Sequence, residues 1–267
     1  MSQNVVLVTG ASSGFGRATA SLLAEKGFRV FGTSRKPRSE KEEGFEMLPL
    51  DIDSDSSALG CVSGVIAKAG RVDVLINNAG TALTGALEET SIDEAKAHFE
   101  TNFFGAVRMV NAVLPGMRER KSGRIINICS LATTFPVPFE GYYAAAKAAL
   151  LAYTEALRQE VMSFNIRVSS VEPGFFRTNL GNARKHAARS IEDYKQIRNR
   201  GVSHLVKDFE GGADPRPVAE TIVSIVESPS PGARYAVGKE KRYLLLKRIL
   251  PASMMENLTR KHWHLDA

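Results

Sequence analysis

The sequence predicts a single α/β domain: a doubly wound parallel sheet with helices on both faces. Two observations carry this. Short apolar runs alternate with longer stretches of helical periodicity along most of the chain, and that alternation implies a parallel sheet covered on both sides. The 267 residues are 43% hydrophobic, with no Gly/Ser-rich or Pro-rich linker and no repeat of fixed period, which suits one large core.

The elements follow in order. "VVLVTG" is a buried-strand run ending at Gly10, and "RATASLLAEKG" is a helix stopped by Gly27. "FRVFGTS" and "FEMLPL" read as the next two strands, "SALGCVSGVIAKAG" as a helix and "VDVLINNAG" as a strand. "IDEAKAHFETNFFGAVRMVNAVLPGMRERK" reads as one long helix that Pro115 is expected to kink. Then come the strand "GRIINICS", the helix "YYAAAKAALLAYTEALRQEVM", the strand "IRVSSVEPG", a helix opened by "DPRPVAE" and a last strand "RYAVG". Residues 179–213 are rich in charge and break the rhythm, which predicts a lid over the ligand cleft. Residues 239–267 form a C-terminal extension with aliphatic residues and two methionines.

Composition removes several classes of function. The apolar part of "MSQNVVLVTG" is too short for a secretory signal, and no run approaches the ~20 apolar residues of a membrane span. Two cysteines, Cys61 and Cys129, make no disulfide framework, so a reducing cytoplasm is expected. The net charge of +6 suits a phosphorylated cofactor, an anionic substrate or an acidic membrane surface. A nucleic-acid partner is not expected, because no basic region is interleaved with aromatics along one element.

Two patterns point to chemistry. "TGASSGFG" puts Gly10, Gly14 and Gly16 between a strand and a helix, with Ser12 and Ser13 as hydroxyl donors. Glycines let the backbone approach a ligand, and the following helix offers free N–H groups to a pyrophosphate. At the end of the second strand stand Thr33, Ser34, Arg35 and Lys36, with no carboxylate before Glu40. An arginine there accommodates the extra phosphate of NADP, which an acidic side chain would repel. The second pattern is "GYYAAAKAAL". On a helix Tyr143 and Lys147 are four apart and share a face, whereas Tyr142 lies about 100° away and is expected to pack or line the pocket edge. Leu150, Leu157 and Val161 fall on the face of Tyr143 and Lys147, so the pair is expected to ride on the buried side.

Taken together these pieces resemble the short-chain dehydrogenase/reductase family. "TGASSGFG", "NNAG" (77–80), Asn102, Ser130, "YAAAK" (143–147) and "PGFFRT" (173–178) occur in that family's order over nearly the whole chain. Phe15 departs slightly, standing where the family usually has an aliphatic residue.

The resemblance implies a Rossmann-type NADP(H)-dependent oxidoreductase, with no metal assigned. Gly10, Ser12, Ser13, Gly14, Phe15 and Gly16 would line the pyrophosphate and adenosine side, with Ser34 and Arg35 at the extra phosphate. Asp51 would accept from the adenine amino group, with Ile52 beside it, and Asn78, Ala79 and Gly80 would pass the adenosine and ribose. Pro173, Gly174, Phe176 and Thr178 would hold the nicotinamide. Asn77 is expected to tie neighbouring strands. Asn102, Ser130, Tyr143 and Lys147 would be catalytic, with Tyr143 and Lys147 also meeting the cofactor. Tyr143 would exchange the proton, its pKa lowered by Lys147, and Ser130 would polarise the substrate oxygen. Asn102 would hold a water linking Lys147 to solvent.

Leu131, Phe135, Val137 and Phe139 are expected to border the reacting carbonyl, which favours an apolar, steroid-, retinoid- or lipid-like substrate. The chain looks most like the branch with hydroxysteroid and retinol dehydrogenases. The rival readings are a reductase of acyl-thioester ketones or small carbonyls, and a non-catalytic NADPH-binding regulator. Family resemblance suggests a homodimer or homotetramer built on helices near 97–120 and 143–162. Membrane-surface contact by the C-terminal extension is the less favoured alternative to packing.

Overall fold

The computed structural model describes residues 4–37, 41–42, 44–178 and 184–265. Glu40, residues 179–183 of the expected lid and the last two residues of the extension lie outside these. The described chain runs β1 (Val5–Val8), α1 (Gly14–Glu25), β2 (Arg29–Ser34), β3 (Lys41–Glu42), β4 (Phe45–Pro49), α2 (Asp55–Ala69), β5 (Val74–Asn77) and β6 (Leu83–Thr84). It continues through α3 (Ile92–Phe99), a π-helical turn (Glu100–Phe104), α4 (Gly105–Arg120), β7 (Gly123–Ile128), α5 (Gly141–Glu160) and β8 (Ile166–Pro173). The last elements are β9 (Lys185–His186), α6 (Glu192–Glu210), α7 (Arg216–Glu227), β10 (Arg234–Val237), α8 (Tyr243–Ile249) and α9 (Ala252–His262).

The main sheet has the order β10-β8-β7-β5-β1-β2-β4, all parallel, with β3 antiparallel on the β4 edge. The sheet order reverses direction at β1, and the carboxyl ends of β1 and β5 therefore open a crevice where ligands of such folds bind. Side chains alternate along each strand, and both sets are buried. Val5 and Leu7 join Phe31, Leu75, Ile125 and Val168 on one face, covered by α2, α4 and α5 through Val65, Met109, Met117 and Leu157. Val6 and Val8 join Ile76, Ile126 and Val171 on the other, covered by α1 and α7 through Leu23, Val218 and Ile222. That double burial is why the strands read as unbroken apolar runs.

Local signals set several boundaries. Ser54 caps α2 by accepting from Ser57 N, and Gly70 closes it in the left-handed region. Ser91 and Glu94 form a reciprocal capping box that starts α3. The expected long helix over 92–121 is instead two α-helices joined by the π turn. Pro115 does not break α4. It sits on the exposed face beside exposed Asn111, whose carbonyl loses its helical partner where water can replace it. Most of the segment expected as a lid is the helix α6, and the extension folds as α8 and α9. Among the described residues no helix is long and apolar enough to cross a membrane.

A polar chain crosses the core. Asn77 Nδ2 donates to Asn127 Oδ1 at 2.9 Å and to Ala106 O at 3.3 Å, and Asn127 Nδ2 donates to Thr154 Oγ1 at 2.8 Å. It joins β5, β7 and α5, all of which carry cleft residues at their ends. Both free thiols are buried, and burial pushes Cys61 up to about 11 and Cys129 up to about 12. Asn127→Ala takes one partner each from Asn77 Nδ2, which keeps Ala106 O, and Thr154 Oγ1, which keeps Leu150 O, and is expected to cost ~2 kcal/mol of stability by urea denaturation, with the m-value unchanged.

Candidate active site

The turn after β1 is shaped by close contact with the end of β5. Gly10 and Gly14 have φ of +66° and +56°, which favours glycine. A Cβ on Gly10 would stand 2.9 Å from Ala79 Cα, and one on Gly16 would stand 2.4 Å from both Asn78 Nδ2 and Gly10 O. Asn78 Nδ2 donates to the carbonyls of Thr9 (2.9 Å) and Gly10 (3.0 Å), while Thr9 Oγ1 accepts from the backbone N–H groups of Asn78 and Ala79 at 2.9 and 3.0 Å. Ala11 N donates to Thr33 O at 2.8 Å, which adds the end of β2 to the same lacing.

A cleft of about 790 Å³ opens over these strand ends. Every expected cofactor residue except Gly16 lines it. Gly16 is buried behind the turn, where its lack of a side chain lets α1 start against Asn78. Three features fit a phosphorylated dinucleotide. The N-terminus of α1 carries no side-chain cap bond and no acid in its first turn, so its N–H groups are available to an anion. The two glycines above admit backbone where a Cβ would collide. Ser34 Oγ, at the end of β2 beside exposed Arg35, is shielded and has no hydrogen-bond partner among the described residues.

At the other end of the cleft α5 brings Tyr143 and Lys147 inward, with Leu150, Leu157 and Val161 buried on the same side. Lys147 is 5% exposed, and its Nζ donates to Ile128 O at 2.8 Å. Burial lowers its pKa. The phenol of Tyr143 hydrogen-bonds with Ser130, and burial, reinforced by Glu140, holds its pKa above the usual tyrosine value. The direction is opposite to the expected lowering. Desolvation of the phenolate outweighs the Ser130 bond and the Arg184 charge that favour ionisation. Ser130 Oγ also accepts from Ala132 N at 3.1 Å, so the same hydroxyl caps the turn that follows β7.

Asn102 is 1% exposed and sits in the π turn. The wider turn directs it towards the strand ends; such bulges are frequent at functional sites. Its Oδ1 accepts from Thr81 N at 3.2 Å, and its Nδ2 donates to His98 O at 3.1 Å and to Thr81 Oγ1 at 3.2 Å. A Cβ on Gly80 would lie 2.8 Å from Asn102 Oδ1 and 3.5 Å from Lys147 Nζ, so both flank one face of that glycine.

Sequence reasoning missed three side chains here. His98, 5% exposed, packs 6.2 Å from the Tyr143 ring, and burial, then Lys147 and Lys185, pushes its pKa down to about 4. Its position four residues before Asn102 on a helix was the available signal. Glu140 and Arg184 form an ion pair with both side chains nearly fully buried, joined by Thr84, whose Oγ1 accepts from Arg184 Nη1 at 2.9 Å. Burial raises the Glu140 pKa against the pull of Arg184. No local pattern announces this pair, because its members are 44 residues apart. Leu131, Phe135 and Val137 line the cleft as expected. Phe139 does not: its ring turns to α6, 2.8 Å from where a Cβ on Gly201 would stand. Tyr142 is half-buried outside the cleft lining.

The short chain dehydrogenase family model matches residues 4–189. The chain is 41% identical over 260 residues to a 3-ketodihydrosphingosine reductase of Bacteroides thetaiotaomicron, with 96% of each chain covered. It is 36% identical to human retinol dehydrogenase 8, covering 86% of this chain and 79% of that one. The crystal structure of a short-chain dehydrogenase from Streptomyces avermitilis superposes with a TM-score of 0.84 at 36% identity, over 97% and 96% of the two chains. The chain belongs to the short-chain dehydrogenase/reductase family, whose members use nicotinamide cofactors.

Gly16→Ala is expected to weaken binding of the reduced dinucleotide at least tenfold, read by calorimetry with a thermal melt as the folding control. The depressed His98 pKa sets a second expectation. Between pH 6.5 and 4 the unfolded chain binds this proton and the folded one does not, so His98 makes stability fall as pH drops through that window. Urea titrations of His98→Gln should show a shallower loss of stability across the same range.

Proposed function

We propose that this short-chain dehydrogenase/reductase is NADP(H)-dependent and interconverts a carbonyl and a secondary alcohol on a long, apolar, lipid-like substrate. The observation that carries the reading is the Tyr143–Ser130 hydrogen bond, with Lys147 buried one helical turn away, inside a cleft of about 790 Å³. When bound, the nicotinamide supplies or accepts the hydride.

The chain's own residues do the rest. Tyr143, held protonated by burial, gives its proton to the oxygen that becomes the alcohol. Ser130 donates to the same oxygen as negative charge builds on it, provided its hydroxyl turns from the phenol to the substrate. Lys147 is fixed by Ile128 O and sets a positive charge beneath the phenol as the proton leaves. Asn102 and Gly80 frame the path by which a water reaches Lys147. Arg35 and Ser34 favour NADP(H) by meeting the extra phosphate with a guanidinium and a hydroxyl that has no partner among the described residues.

The substrate end supports a lipid-like ligand. Val137, Phe209, Leu246, Leu258 and Trp263 line it, the last four from α6, α8 and the segment that includes α9. These elements act as lid and roof over a single domain. The likeness to the 3-ketodihydrosphingosine reductase makes a long-chain ketone the first substrate to try. A homo-oligomer through α4 and α5 belongs to the same reading, with Phe104, the last residue of the π turn before α4, 46% exposed.

Tyr143→Phe is expected to lower kcat for ketone reduction at least 1,000-fold while NADPH affinity stays within a few-fold; activity close to the parent's overturns the assignment. Because the phenol is held protonated, kcat/KM for reduction should stay level through neutrality and fall only at alkaline pH. Arg35→Ala should remove most of the preference for NADPH over NADH, read as the ratio of kcat/KM.

A further inference from the structure

Two elements that roof the cleft meet at a cluster on its rim, two of whose members, Asp208 and His262, also line the cleft. His204 and Asp208 are four residues apart on α6, on one face of the helix. His262 is the last residue of α9. Asp208 Oδ2 lies 3.8 Å from His204 Nε2 and 3.2 Å from His262 Nε2. One donor atom from each of the three residues lies within 4.8 Å of the others. Among the described residues His204 Nε2 has no hydrogen-bond partner, and it is shielded from solvent. A buried, unengaged ring nitrogen is unfavourable unless something binds it.

The surroundings hold the rings in place. Trp263 packs edge-on against His204 and His262, with ring centroids 5.5 and 4.9 Å away, and His264 lies 5.0 Å from His204. Burial lowers the His204 pKa, with Asp208 opposing and His262 and His264 adding to the lowering.

We infer that His204, Asp208 and His262 form a binding site for a zinc-class divalent cation that ties the C-terminal helix α9 to α6. Two imidazole nitrogens and one carboxylate, with a water in the fourth position, make a common zinc donor set. Bonds of about 2.0–2.1 Å in a tetrahedron put donor atoms about 3.4 Å apart, and the two separations from Asp208 bracket that value. Calcium and magnesium prefer oxygen donors and are disfavoured. Arg200, Lys207 and Lys261 line the neighbouring groove and oppose a cation, so the affinity is expected on the order of 1 μM, not the far tighter binding of closed structural sites. The inference does not depend on the proposed substrate or cofactor.

Trp263 is the chain's only tryptophan, so its fluorescence reports on the site. The chelator-treated full-length protein is titrated with ZnCl₂ by calorimetry and fluorescence, and with CoCl₂ by visible absorption. The expected result is one equivalent bound, a change in tryptophan emission and the strong visible bands of tetrahedral cobalt. The His204→Gln/His262→Gln double variant, its fold checked by circular dichroism, should lose at least 30-fold in zinc affinity. No zinc binding to the parent at about 100 μM overturns the site, and so does equal affinity in the folded double variant, which would place the metal on His186 or His264.

Discussion

The structure depends most on the contact between the β1 turn and the end of β5. Asn78 holds the carbonyls of Thr9 and Gly10, and Thr9 returns the bond through its hydroxyl. Those bonds bring two parallel strand ends and the start of α1 so close that a methyl group on Gly16 has no room. The closeness has a functional result. The turn lines the cleft, and the N-terminus of α1 that follows it carries no side-chain cap. Without the lacing the turn would have to be ordered by the ligand, and its entropy would be subtracted from the binding energy.

A second constraint acts at the other end of the cleft. Lys147 and the Glu140–Arg184 pair place charge in a desolvated region, and burying charge is unfavourable unless it is engaged. Each is engaged: Lys147 by a β7 carbonyl, and Glu140 by Arg184 with Thr84 at its side. The same desolvation holds the Tyr143 phenol protonated. Position and protonation state thus come from one cause, the depth of α5 in the structure.

Much of this was legible in the sequence, for identifiable reasons. Strands buried on both faces appear as apolar runs such as "VVLV", and the four-residue spacing of Tyr143 and Lys147 fixes their shared face without further information. What was hidden depends on long-range packing. Glu140 and Arg184 meet only through the fold, and Phe139 turns to Gly201 because α6 lies there. α6 itself is mostly polar, with only Gly201 and Leu205 buried along it, so its periodicity is faint. The upward shift of Tyr143 was missed because spacing reveals neighbours and says nothing about lost water.

The π turn has one more consequence. Five residues fill a stretch where α-helical geometry needs about four, so α3 and α4 are out of phase by roughly one residue, about 100°. Shortening the chain by a single position between 100 and 104 would restore a regular helix and swing everything upstream around its axis, taking His98 away from Tyr143. Length in this one turn is therefore as specific a requirement as the identity of any side chain in it.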